Sequence, residues 1–259
     1  MKLVMKAVEL VKRRGARYVI RRALALVDHR IGLVSLFLAP YIAYKLRREL
    51  NGVLALLFSD SLIGMLFRPM QVGCEVERLL KILKRLKPKY ILEVGTARGG
   101  TLLLWTRVAA EDAVIVSIDI PRGPFGGGYP WPRKLVYKLF AWGRQRIVLI
   151  REDSHSLETL EEVKKVLGGN RLDFLFIDGD HSYEGVKKDY ELYSSLIREG
   201  GIVALHDIVP GPSELVGGVP RFWNELKQGL KSPVRLLEIV KDWSQGGYGI
   251  GLIFKNTAS

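Results

Sequence analysis

Apolar residues fall into two kinds of run along this chain. Short continuous runs stand at 90–94 (YILEV), 114–118 (VIVSI), 147–150 (IVLI), 172–177 (LDFLFI) and 201–205 (GIVAL), the length and composition of buried strands. Between them apolar positions recur at helical spacing, as in Val76, Leu79, Leu80 and Leu83, and again over 99–110, 156–167 and 183–198. A helical pattern over 219–230 precedes two last apolar runs, 234–239 and 248–254. Only 241–247 separates those two, which suits an antiparallel hairpin at a sheet edge. Strands alternating with helices predict an α/β fold, a doubly wound seven-stranded sheet, mostly parallel with an antiparallel last strand.

The first 70 residues read differently. Helical spacing runs over 2–28 with a break at Gly15, and Lys and Arg fill the face opposite the apolar one. Ile31–Tyr44 has no charge and Val53–Phe67 has only Asp60. Neither reaches the roughly 18 residues a membrane span needs, and Pro40 interrupts the first. Both are expected as core or interface helices. Arg68-Pro69 marks a boundary. Residues 1–70 are therefore expected as a helical extension with a membrane-surface, oligomer or lid role, and 71–259 as the main domain.

Composition changes this picture in two places. The chain has 259 residues and a net charge of +13, and residues 1–50 hold 12 Lys/Arg against 3 acids. A basic amphipathic helix can lie on an anionic membrane surface, or pack on the domain or on a second subunit with its charges solvated. Both readings stay open. The single cysteine, Cys74, excludes an internal disulfide framework and a thiolate metal cluster. It lies in the helix before the first strand and is expected to be a small buried residue. No leader-like pattern opens the chain, and the expected location is the cytoplasm, with membrane association through residues 1–70 left open.

Candidate chemistry collects at the strand ends, where ligands of such sheets bind. The stretch YILEVGTARGGT leads from a strand through a glycine turn into a helix. Its spacing is GxxxGG, and Ala97 stands where a dinucleotide fingerprint has its second glycine. Glu93, two residues before Gly95, suits a ligand carrying positive charge. Together these favour S-adenosylmethionine over NAD. Asp119 ends the second strand, Asp153-Ser154 follows the third, Asp178, Asp180 and His181 follow the fourth, and His206-Asp207 end the fifth. One acid at a strand end is commonplace as a helix cap. A polar cluster at all five ends is not explained by packing.

The set ILEVGTARGGT, VSIDI, REDS, FLFIDGDHSYEGVKKD and GGIVALHD, spread over 71–254, resembles the Rossmann-like class I S-adenosylmethionine-dependent methyltransferases. More narrowly it resembles the branch of cephalosporin-biosynthesis and macrolide-sugar O-methyltransferases, and more distantly catechol O-methyltransferase. The resemblance implies that Glu93, Gly95, Thr96 and Gly99 surround the methionine part of the cofactor. It implies that Asp119 takes the ribose hydroxyls and that Asp153 and Ser154 lie beside the adenine. Asp178, which also borders the cofactor, would join His206 and Asp207 in a divalent-metal site for Mg²⁺ or Mn²⁺; His206 stands where relatives have a carboxylate. His181 would be the general base, with Asp178 and Asp207 completing the catalytic set.

The expected reaction is O-methylation of a sugar, glycolipid or small secondary metabolite, with a homo-oligomer and no nucleic-acid partner expected. An RNA methyltransferase and a non-catalytic membrane or assembly module keeping the fold are the alternatives. No Asn-Pro-Pro-Tyr follows the fourth strand, which disfavours amino-group methylation. The loop 121–142, with Phe125, Tyr129, Trp131 and three consecutive glycines, reads equally as a mobile aromatic lid and as a surface insertion. Trp223 is expected in the core.

Overall fold

Seven strands form one sheet in the order β3-β2-β1-β4-β5-β7-β6. They are β1 (Tyr90–Val94), β2 (Val114–Ile118), β3 (Arg146–Ile150), β4 (Leu172–Ile177), β5 (Ile197–His206), β6 (Arg235–Ile239) and β7 (Ile250–Phe254). The computed structural model describes residues 9–121, 123, 127–229 and 235–255. Phe125, Gly126 and Val234 lie outside them, as does the start of the predicted first helix. The sheet is parallel except for β7, which pairs antiparallel with both β5 and β6. The expected mixed, doubly wound sheet is what the chain forms.

The chain steps outward from β1 to β2 and β3, then returns to lay β4 against the other side of β1. That reversal opens a crevice beyond the carboxyl ends of β1 and β4, which is where such folds bind ligands. Alternation along the strands divides two cores. Ile91, Phe174, Phe176, Ile202 and Ala204 face one side, and Leu92, Leu175, Ile177, Val203 and Leu205 face the other.

Helix Gly73–Leu86 buries Val76, Leu79, Leu80 and Leu83 in the first core, and Lys87, at a φ of 47°, ends it before Pro88. Residues 9–14 are helical, and Ala16–Ile31, Leu33–Phe37, Ala39–Lys45, Leu50–Leu57 and Leu62–Phe67 follow as helices. Ile42, Leu46, Val53, Leu57, Ile63, Leu66 and Phe67 of this extension are buried in the same core as Trp105 and Phe174. The boundary read at Arg68-Pro69 is thus a chain junction that divides no core. A Cβ on Gly100 would stand 2.2 Å from the Phe67 carbonyl oxygen, so that glycine lets the extension approach the helix after β1. Among the described residues no helix is long and apolar enough to cross a membrane.

Three local expectations are corrected. The helix after β4 ends at Tyr193, and a 3-10 turn leads into β5 at Ile197, four residues earlier than the apolar run indicated. Cys74 is exposed, because its helix turns the neighbouring Glu75 and Val76 inward instead. Tyr129 is buried against the Tyr137 ring, with centroids 4.9 Å apart, and is no lid aromatic. Trp223 is buried as expected and donates to Glu238 at 2.6 Å.

Candidate active site

A cavity of about 320 Å³ opens at the carboxyl ends of β1, β2, β4 and β5. That lies within the roughly 300–1,000 Å³ typical of small-molecule sites. Its walls carry Asp119, Glu152, Asp153, Asp178, Asp180 and Asp207. So acidic a lining favours a cationic ligand, because the positive charge relieves carboxylate repulsion.

The glycine turn is built under steric demand. Gly95 has a φ of 96°, and a Cβ there would meet the Asp178 carbonyl oxygen at 2.0 Å. Only glycine fits between β1 and β4 at this point. Ala97 is left-handed as well, at a φ of 42°, and is held at both backbone groups. Its N–H donates to Asp119 Oδ2 at 2.6 Å and its carbonyl accepts from Tyr137 at 2.9 Å.

Asp119 also accepts from the Gly128 N–H at 2.8 Å through Oδ1. Burial pushes its carboxyl up to about 6, although the N–H groups of Ala97 and Gly128 favour the ionised form. Gly95, Asp119, Asp153, Ser154 and Asp178, the residues expected to bind cofactor, line the cavity. Glu93, Thr96 and Gly99 do not. Glu93 is fully buried beneath the turn, accepting from Trp105 Nε1 at 2.8 Å and from Ser117 Oγ at 2.6 Å. Thr96 hydrogen-bonds Ser117 at 2.6 Å, and Gly99 backs onto the Tyr137 ring. These three shape the turn from behind. The residues in strand β1 alternate, so Glu93 points away from the cavity that its neighbours border.

At the far end Asp178, His181, His206 and Asp207 converge. His206 Nδ1 lies 3.0 Å from Asp178 Oδ1 and 3.3 Å from Asp207 Oδ2. His181 Nε2 is 3.4 Å from Asp178 Oδ1, while its Nδ1 donates to the Leu215 carbonyl at 2.5 Å. Burial opposes charge on His181, but the hydrogen bond and charge of Asp178, the Leu215 carbonyl and Asp207 outweigh it and raise the imidazole to about 9. Burial opposes charge on His206 too, and the two carboxylates raise it well above the ordinary range. Burial would raise Asp178, but the two imidazoles hold it far below.

Asp207 adopts a φ of 62°, which a non-glycine residue takes at a cost, and accepts from the Tyr248 N–H at 2.9 Å.

One ligand atom each from Asp178, His181 and Asp207 lie within 4.8 Å of one another. Two carboxylates and an imidazole fit a divalent cation of the Mg²⁺ or Mn²⁺ kind. His206, expected as the ligand, instead sits behind Asp178, and its Nε2 is buried with no hydrogen-bond partner.

Sequence reading missed two residues here. Gln71 donates to Asp178 Oδ2 at 2.6 Å across 107 positions of sequence. His155 lines the cavity with its Nε2 3.4 Å from the buried Asp189, one position beyond the flagged Asp153-Ser154 pair. Only that adjacency could have drawn attention to it.

Comparison with known proteins bears on the class. Residues 92–208 match a family described as a methyltransferase domain. That match spans under half of the chain and supports an S-adenosylmethionine-dependent methyltransferase. This methyltransferase is 29% identical over 171 residues to caffeoyl-CoA O-methyltransferase of Populus kitakamiensis, covering 61% of this chain and 68% of that one. It is 30% identical over 137 residues to flavonoid 3',5'-methyltransferase of Vitis vinifera, covering 52% of this chain and 53% of that one. It thus spans about half the length of the Vitis enzyme. Its fold matches the O-methyltransferase TomG from Streptomyces achromogenes, solved with SAM (TM-score 0.54, 19% identity, 72% of this chain and 81% of that one). It matches equally an O-methyltransferase from Bacillus cereus solved with SAH (TM-score 0.53, 18% identity, 84% and 97%).

Proposed function

We propose that this methyltransferase transfers the methyl group to a hydroxyl of a small acceptor, a sugar, glycolipid or secondary metabolite. The curated relatives are named for O-methylation or for a flavonoid acceptor, which supports an oxygen nucleophile. The observation that carries the reading is the Asp178, His181, Asp207 cluster in the same cavity that Gly95 and Asp119 border.

S-adenosylmethionine supplies a methyl group activated on a sulfonium. Asp119 would accept from the ribose hydroxyls, and Asp153 and Ser154 would border the adenine. The acidic lining favours the sulfonium charge. Once deprotonated, which its titration at about 9 places on the alkaline side, His181 would take the acceptor hydroxyl proton on Nε2, the nitrogen that its bond to Leu215 leaves facing Asp178. Its Nδ1–H bond to the Leu215 carbonyl fixes the ring orientation for that task. Alternatively Asp178, His181 and Asp207 would hold a divalent cation, whose chemistry there is to make a nearby hydroxyl more acidic, and His181, its Nε2 then a ligand, would no longer be the base. Gln71 would orient Asp178 from behind.

The test is a methyl-transfer screen over sugars, lipid-linked glycans and catechols, with His181→Ala alongside. Transfer to a hydroxyl, lost in the variant, is expected. Transfer confined to amines, or undiminished in His181→Ala, overturns the reading.

A further inference from the structure

A second cavity, of about 240 Å³, lies between helix Ala16–Ile31 and the glycine turn. Arg22, His29, Arg68 and Arg98 line it, with Asp60 as its one carboxylate. Asp60 is already shared: Arg14 Nη1 stands 3.3 Å from one oxygen and Arg68 Nη2 3.6 Å from the other. Arg21 donates to the Asp60 carbonyl at 3.4 Å, adding another cation beside it. Among the described residues neither Arg22 nor Arg98 has a carboxylate partner. The cavity therefore holds more guanidinium charge than its own carboxylate neutralises.

Arg133, the next guanidinium, is paired with Asp28 at 2.9 Å and leaves that imbalance as it stands. Arg133 lies behind the cavity, and its charge with that of Arg98 adds to burial in pushing His29 down to about 4. His29 is thus neutral at physiological pH and offers an uncharged ring. Burial and the charges of Arg133 and Arg68 also lower Arg98. Guanidinium forks match phosphate oxygens in geometry as well as charge, and several aimed into one cavity are a recurrent phosphate site.

We propose that this cavity binds a phosphate-bearing anion, a phosphomonoester or diphosphate group. The group comes either on a soluble metabolite or on a lipid headgroup. The lipid source gains support from Leu26, which lines the cavity and is 57% exposed. The site touches catalysis through Arg98, whose neighbour Ala97 lines the first cavity and binds Asp119.

Calorimetry on the full chain saturated with S-adenosylhomocysteine, titrated with inorganic pyrophosphate in physiological sodium chloride, tests the soluble source. Saturation keeps the probe out of the first cavity. Flotation with phosphatidylcholine vesicles, with and without phosphatidic acid, tests the lipid source. Binding in either assay that weakens about tenfold or more in Arg22→Gln and in Arg98→Gln, but not in Arg47→Gln, supports the site. Pyrophosphate binding identifies a soluble ligand, and flotation without it a headgroup. The Arg22 side chain makes no hydrogen bond or ion pair among the described residues, so its variant keeps the fold even if Arg98→Gln does not. The proposal fails if the wild type engages neither probe, if both pocket variants bind undiminished, or if Arg47→Gln weakens binding equally.

Discussion

Asp28 and Arg133 form an ion pair at 2.9 Å with both side chains essentially sealed from water. One partner lies in the extension and the other in the helix that follows the loop after β2. Arg133 also donates to the Leu66 carbonyl at 2.8 Å and to Tyr137 Oη at 3.0 Å, and Asp28 accepts from the Ser35 N–H at 2.7 Å. Through Tyr137 the pair reaches the Ala97 carbonyl, and so the cofactor turn.

Removing Asp28 leaves a buried guanidinium without a counter-charge. Asp28→Ala is expected to lower unfolding stability by about 3–5 kcal/mol, read by chemical denaturation. Tyr137→Phe keeps the ring but drops both the bond to the Ala97 carbonyl and the one accepted from Arg133, so it should weaken S-adenosylmethionine several-fold and lower stability by about 1–3 kcal/mol. A stability loss under about 1 kcal/mol in Asp28→Ala would show that water reaches the pair.

Cofactor affinity should depend on Asp119 ionisation. The carboxyl titrates at about 6, raised from 3.8 chiefly by burial, and only the charged form accepts from both ribose hydroxyls while keeping its two N–H bonds. Affinity for S-adenosylmethionine is therefore expected to be flat above pH 7. Below pH 6 it should fall by up to about tenfold per unit, the limit for one linked proton. Asp119→Ala should abolish binding at every pH. Calorimetry from pH 5 to 8 checks both, and a flat profile with strong binding in the variant removes Asp119 from the cofactor site.

The parts of the site legible in the sequence are those the strand ends dictate. Asp119, Asp178 and Asp207 each end or directly follow an apolar run, and parallel strands bring such positions to one edge of the sheet. Packing between distant segments was not legible. Gln71 reaches Asp178 only because the extension folds onto the same core, and the second cavity exists only where helix Ala16–Ile31 meets Arg98. Glu93 sits in the right motif, but period-two alternation turns it beneath the turn, where Trp105 and Ser117 hold it.

Glu93 should impose a pH dependence on stability. Burial raises its carboxyl from 4.5 to about 7, more than its hydrogen bonds to Ser117, Thr101 and Trp105 lower it. Between those values the folded chain holds a proton that the unfolded chain has released. The associated stability is complete below about pH 4.5 and is lost as pH rises through 7. Glu93→Gln, which keeps the shape without the ionisation, should flatten that decline. Denaturation curves at pH 5 and 8 read it directly, and an equal decline in both proteins excludes Glu93 as the source.

The cluster at the end of β4 and β5 separates two ways of balancing its carboxylates. In one, the imidazoles of His181 and His206 carry the positive charge, as their raised titration favours. In the other, a divalent cation takes that role at Asp178, His181 and Asp207, the three residues whose ligand atoms lie within 4.8 Å of one another. A ligand that binds only the folded state raises its melting temperature with concentration. Mg²⁺ or Mn²⁺ is accordingly expected to stabilise the wild type in a dose-dependent way, and chelation to suppress methyl transfer. Asp207→Asn should lose both responses while keeping the acceptor oxygen that holds the Tyr248 N–H. Full turnover in EDTA, with a melting temperature indifferent to either cation, would establish the imidazoles as the charge carriers and leave His181 to act without a metal.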